Sequence, residues 1–272
     1  ATTAARVVSP INDTAAEGTE TVIATISSNA AYSVGSPSAA TVTLQDDDSL
    51  PANATSPLAM NLAGITYYTS ELVFQDFFKM AADWIPQQVS GGPWNTGQAF
   101  AGFTTDGYPL LNVGQAAATL ICRDIQGRYP SGPYTCFYSG TGTITLGFDA
   151  AVTSQSPGVI QFNVTPTNGS IYLRITASNS ADPIRNIRVV PQMYLSTYAT
   201  QPFTPRFLDR HRRFKALRFM DFQQTNNSTL ANWADRATPT TFSQGTWKGV
   251  AVEHMIQLCN ALDADAWFCM PH

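Results

Sequence analysis

RFLDRHRRF (206–214), KALRFMDF (215–222), QQTNNSTLANWADR (223–236), GVAVEHMIQLCNALDAD (249–265) and AWFCMPH (266–272) follow one another towards the C-terminal side of the chain. A basic helix-like run leads into an apolar strand, a polar loop, an amphipathic helix and a second apolar strand, which is the grammar of βα units around a parallel sheet. Within 249–265, Val252, Met255, Ile256, Cys259 and Leu262 recur at helical spacing and form an apolar stripe. That assignment turns Glu253, Gln257 and Asn260 outward and leaves His254 off the stripe, in solvent. Folds of this kind place their chemistry at the C-terminal ends of the strands, here next to His272.

A matching first unit lies upstream. Leu62, Gly64, Ile65 and Tyr67 predict a buried strand; Leu72, Val73, Phe77, Met80 and Trp84 predict a helix capped by Thr69 or Ser70, with Glu71 and Asp76 in or near its first turns. Between the two regions the texture changes. AATLICRD (117–124), GPYTCFYSG (132–140), GTITLGF (142–148), GVIQFNVT (158–165), SIYLRITAS (170–178) and IRNIRVV (184–190) are short β-rich runs separated by glycine and proline turns. They predict a β-sandwich of the jelly-roll or carbohydrate-binding-module type. Cys122 and Cys136 fall in consecutive runs, which reads equally as a disulfide across a hairpin, fitting an oxidising compartment, or as two buried free thiols. Cys259 reads as a core residue, with a bond to Cys269 as the alternative.

Residues 1–48 read as short antiparallel strands, TVIATIS (21–27), NAAYSVGSPSA (29–39) and ATVTLQDDD (40–48), and SLPANATSPL (49–58) reads as a linker. With EGTET (17–21), the pattern resembles the second half of a Calx-beta domain, an extracellular-type β-sandwich. The resemblance implies Asp46, Asp47 and Asp48, with Glu17, as candidate calcium ligands; a solvated acidic linker is the competing reading. The expected organisation is mixed but mainly β: a partial Calx-beta-like domain (1–48), a linker (49–58), a first βα unit (59–90), an inserted sandwich (91–192) and two further βα units (193–272).

Only 12% of residues are charged and the formal net charge is −4, so the strong basic excess of a nucleic-acid binder is absent. No apolar run is long enough for a transmembrane helix. A surface rich in Ser, Thr, Asn, Gly and Ala with few lysines points to a secreted or cell-surface protein. Arg206, Arg210, His211, Arg212, Arg213 and Lys215 spread round a helix, which favours a solvated face over a phosphate site.

NLAGITYYTSE (61–71), IRNIRVV, ALRFMDFQQTNN (216–227), NWADR (232–236) and GVAVEHMIQLCNALDADAWFCMPH (249–272) together resemble a bacterial group of secreted proteins with a glycoside-hydrolase-like barrel. In that group the first βα unit is interrupted by a β-sandwich insertion. The resemblance runs from about residue 58 onward and implies an extracellular protein that interacts with polysaccharide and needs no cofactor beyond the candidate calcium. Retaining members of such clans use two carboxyl groups about 5–5.5 Å apart. The clan carries them on its fourth and seventh strands, which are expected beyond His272, so the chain as given is expected to be catalytically incomplete.

Arg218 resembles the clan's arginine that hydrogen-bonds the nucleophile, with Asp221 or Glu71 as its acidic partner here, and His272 resembles a histidine near the sugar subsite. Tyr67, Tyr68 and Trp233, with Trp267, are candidate stacking platforms, and Asp235 and Arg236 flank Trp233 in an otherwise polar loop. The alternative is a non-catalytic adhesion or fibre subunit that assembles through its β-sandwich modules or sits within a larger parent chain.

Overall fold

β-Branched residues alternate along Glu20–Thr25 (β1) and Ala39–Leu44 (β2), and the two strands pair antiparallel with Glu20 opposite Leu44. They belong to the first of two units, Ala1–Ala54 and Thr55–His272. The computed structural model describes residues 7, 9, 20–44 and 52–270. The candidate ligands Glu17, Asp46, Asp47 and Asp48, and the candidate His272, lie outside the described residues. In the first unit the hairpin is exposed on both faces, including Val22, Ile23 and Val42.

The second unit is mainly β. In chain order it holds β3 (Ala59–Asn61), β4 (Ile85–Gln88), β5 (Gly102–Phe103), β6 (Pro109–Leu110), β7 (Gln115–Ile121), β8 (Gly132–Ser139), β9 (Gly142–Phe148), β10 (Ala150–Ser156), β11 (Val159–Val164), β12 (Ile171–Ser178) and β13 (Arg185–Pro191). These are followed by α1 (Pro205–His211), β14 (Ala216–Arg218), α2 (Val252–Leu262) and β15 (Asp265–Trp267).

Eight of these strands form two four-stranded antiparallel sheets, in the orders β10-β11-β8-β13 and β4-β7-β12-β9. Their buried residues, such as Ile160, Phe162 and Val189 from one sheet and Ile144, Leu173 and Ile175 from the other, join a single hydrophobic core. The second sheet takes in Ile85–Gln88, ahead of the boundary expected at residue 91. At the corner between β9 and β10, Asp149 accepts hydrogen bonds from the Tyr129 and Thr167 hydroxyls and from the amides of Thr167 and Ser170. Desolvation opposes ionisation there, but those donors win and hold the carboxyl below its ordinary range.

β3, β14 and β15 form a parallel sheet, side by side in chain order, with Leu217 in register with Met60 on one side and Ala266 on the other. α1 enters β14 directly; its cap is Thr204, whose hydroxyl accepts from the Phe207 amide at 3.2 Å. α1 and α2 pack together.

Four sequence expectations are corrected. Leu62, Gly64, Ile65 and Tyr67, expected to form the first strand, follow β3 as irregular chain, with Leu62 and Ile65 buried. The helix expected after β3 is a single 3-10 turn, Phe77–Met80. Val73, Phe74, Phe77, Phe78, Met80 and Ala81 are all buried, so the segment is enclosed on every side instead of showing one apolar stripe. Asp76 Oδ1 accepts from Phe78 N at 3.1 Å and from Val189 N at 2.9 Å, which ties the backbone to the sheet and competes with helical bonding.

The expected disulfides are also absent, since all four cysteines are free. Cys122 follows β7 in one sheet, whereas Cys136 sits in β8 of the other, opposite Ile160 and Val189; β7 and β8 are not a hairpin. Burial pushes both thiols up. Cys259 is buried in α2 and Cys269 is half-buried beyond β15.

The inward face of α2 is rotated from the expected stripe: His254, Met255, Leu258, Cys259 and Leu262 are buried, while Ile256 is 46% exposed. His254 is therefore not solvated. Its Nδ1 pairs with Gln257 Oε1 at 2.8 Å, its ring packs 5.1 Å from Phe74, and burial lowers its pKa.

Candidate functional site

The C-terminal ends of the three parallel strands bring together Asn61, Arg218 and Trp267, in register across the sheet. The Arg218 guanidinium lies 5.0 Å from the Trp267 ring centroid, and Trp267 is 58% exposed. Arg218 Nη2 reaches Met220 Sδ at 3.2 Å, while its buried Nε has no hydrogen-bond partner.

Neither expected acidic partner pairs with it. Asp221 Oδ2 accepts from Asn61 Nδ2 at 3.0 Å, and Glu71 lies 3.8 Å from Arg210 instead. Glu71 lines a different cavity, of about 390 Å³, with Arg128, Arg206, Tyr129 and Arg210. Within the basic run, Arg212 pairs with Asp209, Lys215 pairs with Asp263, and His211 is buried against the Phe207 carbonyl.

Beyond β14 and β15 the chain builds a small cavity of about 120 Å³, lined by Gln223, Trp233, Arg236, Lys248 and Met270 among others. Trp233 stacks with the Arg236 guanidinium at 4.1 Å, and Arg236 forms an ion pair with Glu253 on the first turn of α2. Burial alone opposes ionisation of Glu253, but its hydrogen bonds and the Arg236 charge hold the carboxyl below its ordinary range. Asp235 supplies its backbone carbonyl to Lys248 Nζ at 2.7 Å and its carboxylate to Asn232 Nδ2 at 3.0 Å.

Trp233, Asp235 and Arg236 thus lie together around Lys248 and Glu253. Tyr67 and Tyr68 stand apart from this cavity, packed edge to face at 5.1 Å, with the Tyr67 carbonyl accepting from Arg123 N. No family model, curated protein or solved structure matches the chain.

Chemically, the strand ends offer an apolar ring, an unpaired guanidinium and an amide–carboxylate pair. An exposed ring can pack on apolar C–H faces, and guanidinium donors and a carboxylate acceptor can hydrogen-bond hydroxyl groups. Residues the sequence did not single out line the cavities: Lys248 lies on the one beside Trp233 and, with Thr241, Phe242, Thr246 and Trp247, on a second one. Lys79 Nζ donates to the Pro239 and Thr241 carbonyls at 2.7 and 2.8 Å, and the Ser243 hydroxyl donates to the Ala81 carbonyl at 2.6 Å. The available signal was TWKG (246–249), a tryptophan in a polar, glycine-bearing loop like that of Trp233.

Proposed function

We propose that residues 55–272 are the polysaccharide-interacting part of a glycoside-hydrolase-like protein, with three parallel strands of a (β/α) barrel interrupted after the first by a β-sandwich. The non-sequential pairing of β7 with β12 and of β8 with β11 and β13 supports the jelly-roll or carbohydrate-binding-module type for that insertion. The secreted or cell-surface setting belongs to the same reading.

The observation that carries the proposal is Arg218. It ends the middle strand of a parallel sheet ordered as in a barrel, has no carboxylate partner among the described residues, and stacks on an exposed tryptophan. Stacking on Trp267 holds the apolar face of a pyranose, and the guanidinium donates to its hydroxyls. The test is binding of the chain to immobilised neutral and acidic polysaccharides: saturable retention on a glycan supports the proposal, and none on any of them contradicts it.

One observation favours a second reading, an adhesion or fibre subunit. The β1–β2 hairpin exposes apolar residues on both faces, which an additional strand or sheet from another chain would cover. Ordered polymers in electron micrographs support it, and a strictly monomeric protein across concentrations contradicts it.

A further inference from the structure

A cleft of about 430 Å³ opens between Asp83, the β5–β6 hairpin and the 241–248 loop. Its floor is aromatic and rigid. Trp84 packs against Phe242 at 5.4 Å and donates from Nε1 to the Gly107 carbonyl at 3.1 Å, and Phe78 and Tyr108 back both rings. The walls are fixed to each other: Phe242 N donates to the Asp106 carbonyl at 2.9 Å and the Thr240 hydroxyl to the Asp106 carboxylate at 2.6 Å.

At the rim, Phe103 and Trp247 remain 57% and 55% exposed. Asp83 has no hydrogen bond or ion pair among the described residues, and withdrawal of water raises its carboxyl pKa.

We propose that this cleft is a subsite for a neutral hexopyranose unit, with Phe103 and Trp247 as stacking platforms and Asp83 as the acceptor for sugar hydroxyls. The proposal rests on the polysaccharide reading and deepens it by giving the glycan a second point of attachment. Size decides between the two cavities. Ligand pockets start at about 300 Å³, so the cavity of about 120 Å³ beside Trp233 is too small for a sugar residue, whereas this cleft is large enough.

Lys248 lines both cavities, so the two adjoin. Charge favours a neutral sugar. Two carboxylates, Asp83 and Asp106, face one ammonium, Lys248, whose Nζ is already held by the Asp235 carbonyl. An acidic sugar meets net repulsion there.

The test is calorimetric titration of the chain with cellohexaose, maltohexaose and mannohexaose, and with polygalacturonate as an acidic probe. Wild type is expected to bind a neutral hexasaccharide, and Trp247→Ala and Asp83→Asn each to weaken that binding about tenfold by removing a stacking face or an acceptor. Trp247 is exposed and Asp83→Asn is isosteric, so both variants are expected to melt with wild type. If both bind as wild type while Trp267→Ala loses binding, the cleft proposal is overturned and the polysaccharide reading stands. If wild type binds polygalacturonate alone, the neutral-sugar assignment is overturned. If it binds none of the four, the cleft proposal falls together with the reading it rests on.

Discussion

Arg218 and Trp267 occupy paired positions on adjacent parallel strands, and the guanidinium of one stacks 5.0 Å from the ring of the other. The strand register creates that contact, so it is available before any ligand arrives.

Because no ion pair holds Arg218 among the described residues, replacing it strands no buried carboxylate. Arg218→Ala is expected to change stability by less than about 1 kcal/mol while weakening saccharide binding about tenfold. Arg236→Ala is different: it leaves Glu253 without its cation and removes the stack on Trp233, and is expected to cost about 1–2 kcal/mol. Urea denaturation of the two variants separates them; equal stability losses would contradict the assignment.

Asp76 makes stability depend on pH. Burial pushes its carboxyl up from 3.8 to about 6, against the opposing pull of Lys79 and the Val189 and Phe78 amides. A raised folded pKa means that the folded state holds the proton more tightly, so its stabilising contribution is full below about pH 4 and is lost as pH rises through about 6. At about 1.4 kcal/mol per unit, the loss approaches about 3 kcal/mol. Asp76→Asn does not titrate, so its stability relative to wild type is expected to climb between pH 4 and 6. Parallel curves for the two proteins would refute this.

Gly107 holds the turn that carries the Asp106 wall of the cleft. Its φ is +84°, and a Cβ added there lies 2.9 Å from Phe242 Cδ1. Gly107→Ala is expected to cost about 1–2 kcal/mol, from the left-handed backbone and the aromatic clash together. At Gly102 an added Cβ makes only ordinary contact, 3.6 Å from Leu110 Cδ1, so Gly102→Ala is expected to be nearly neutral. Thermal melts of both variants check the contrast.

The free cysteines predict a labelling pattern. Cys122, Cys136 and Cys259 are buried, and Cys269 alone of the four is half-buried. A water-soluble thiol reagent is expected to titrate Cys269 in the folded protein and all four in denaturant, and reductant is expected to leave the melting temperature unchanged. Slow mobility shifts on reduction would point to a disulfide instead.

The middle parallel strand was legible in the apolar run around Leu217, whereas β3 (Ala59–Asn61) ends before the apolar residues Leu62, Gly64, Ile65 and Tyr67 that predicted it, because burial of an irregular segment gives the same apolar signal as a strand. The β-rich runs from 117 to 190 announced the antiparallel sheets, but not which runs pair, since alternation along a strand carries no information about its neighbours. This is why Cys122 and Cys136 looked like hairpin partners. The helix expected at 70–84 failed because apolar residues enclosed on every side satisfy a helical template by accident, and α2 kept its helix while its buried face rotated from Ile256 to Leu258. Trp233, Asp235 and Arg236 were readable as a cluster from a single loop. The Asp83, Phe103 and Trp247 cleft joins residues far apart in the chain, and no local pattern connects them.

The central claim, that this unit binds polysaccharide at the C-terminal ends of its parallel strands, is tested most directly by titrating wild type and Trp267→Ala with a soluble neutral polysaccharide in a calorimeter. Trp267 is exposed, so its loss leaves the core intact. Saturable binding by wild type that falls about tenfold or more in the variant is the expected result. Equal binding by both proteins, or heat of dilution alone from wild type, would contradict it.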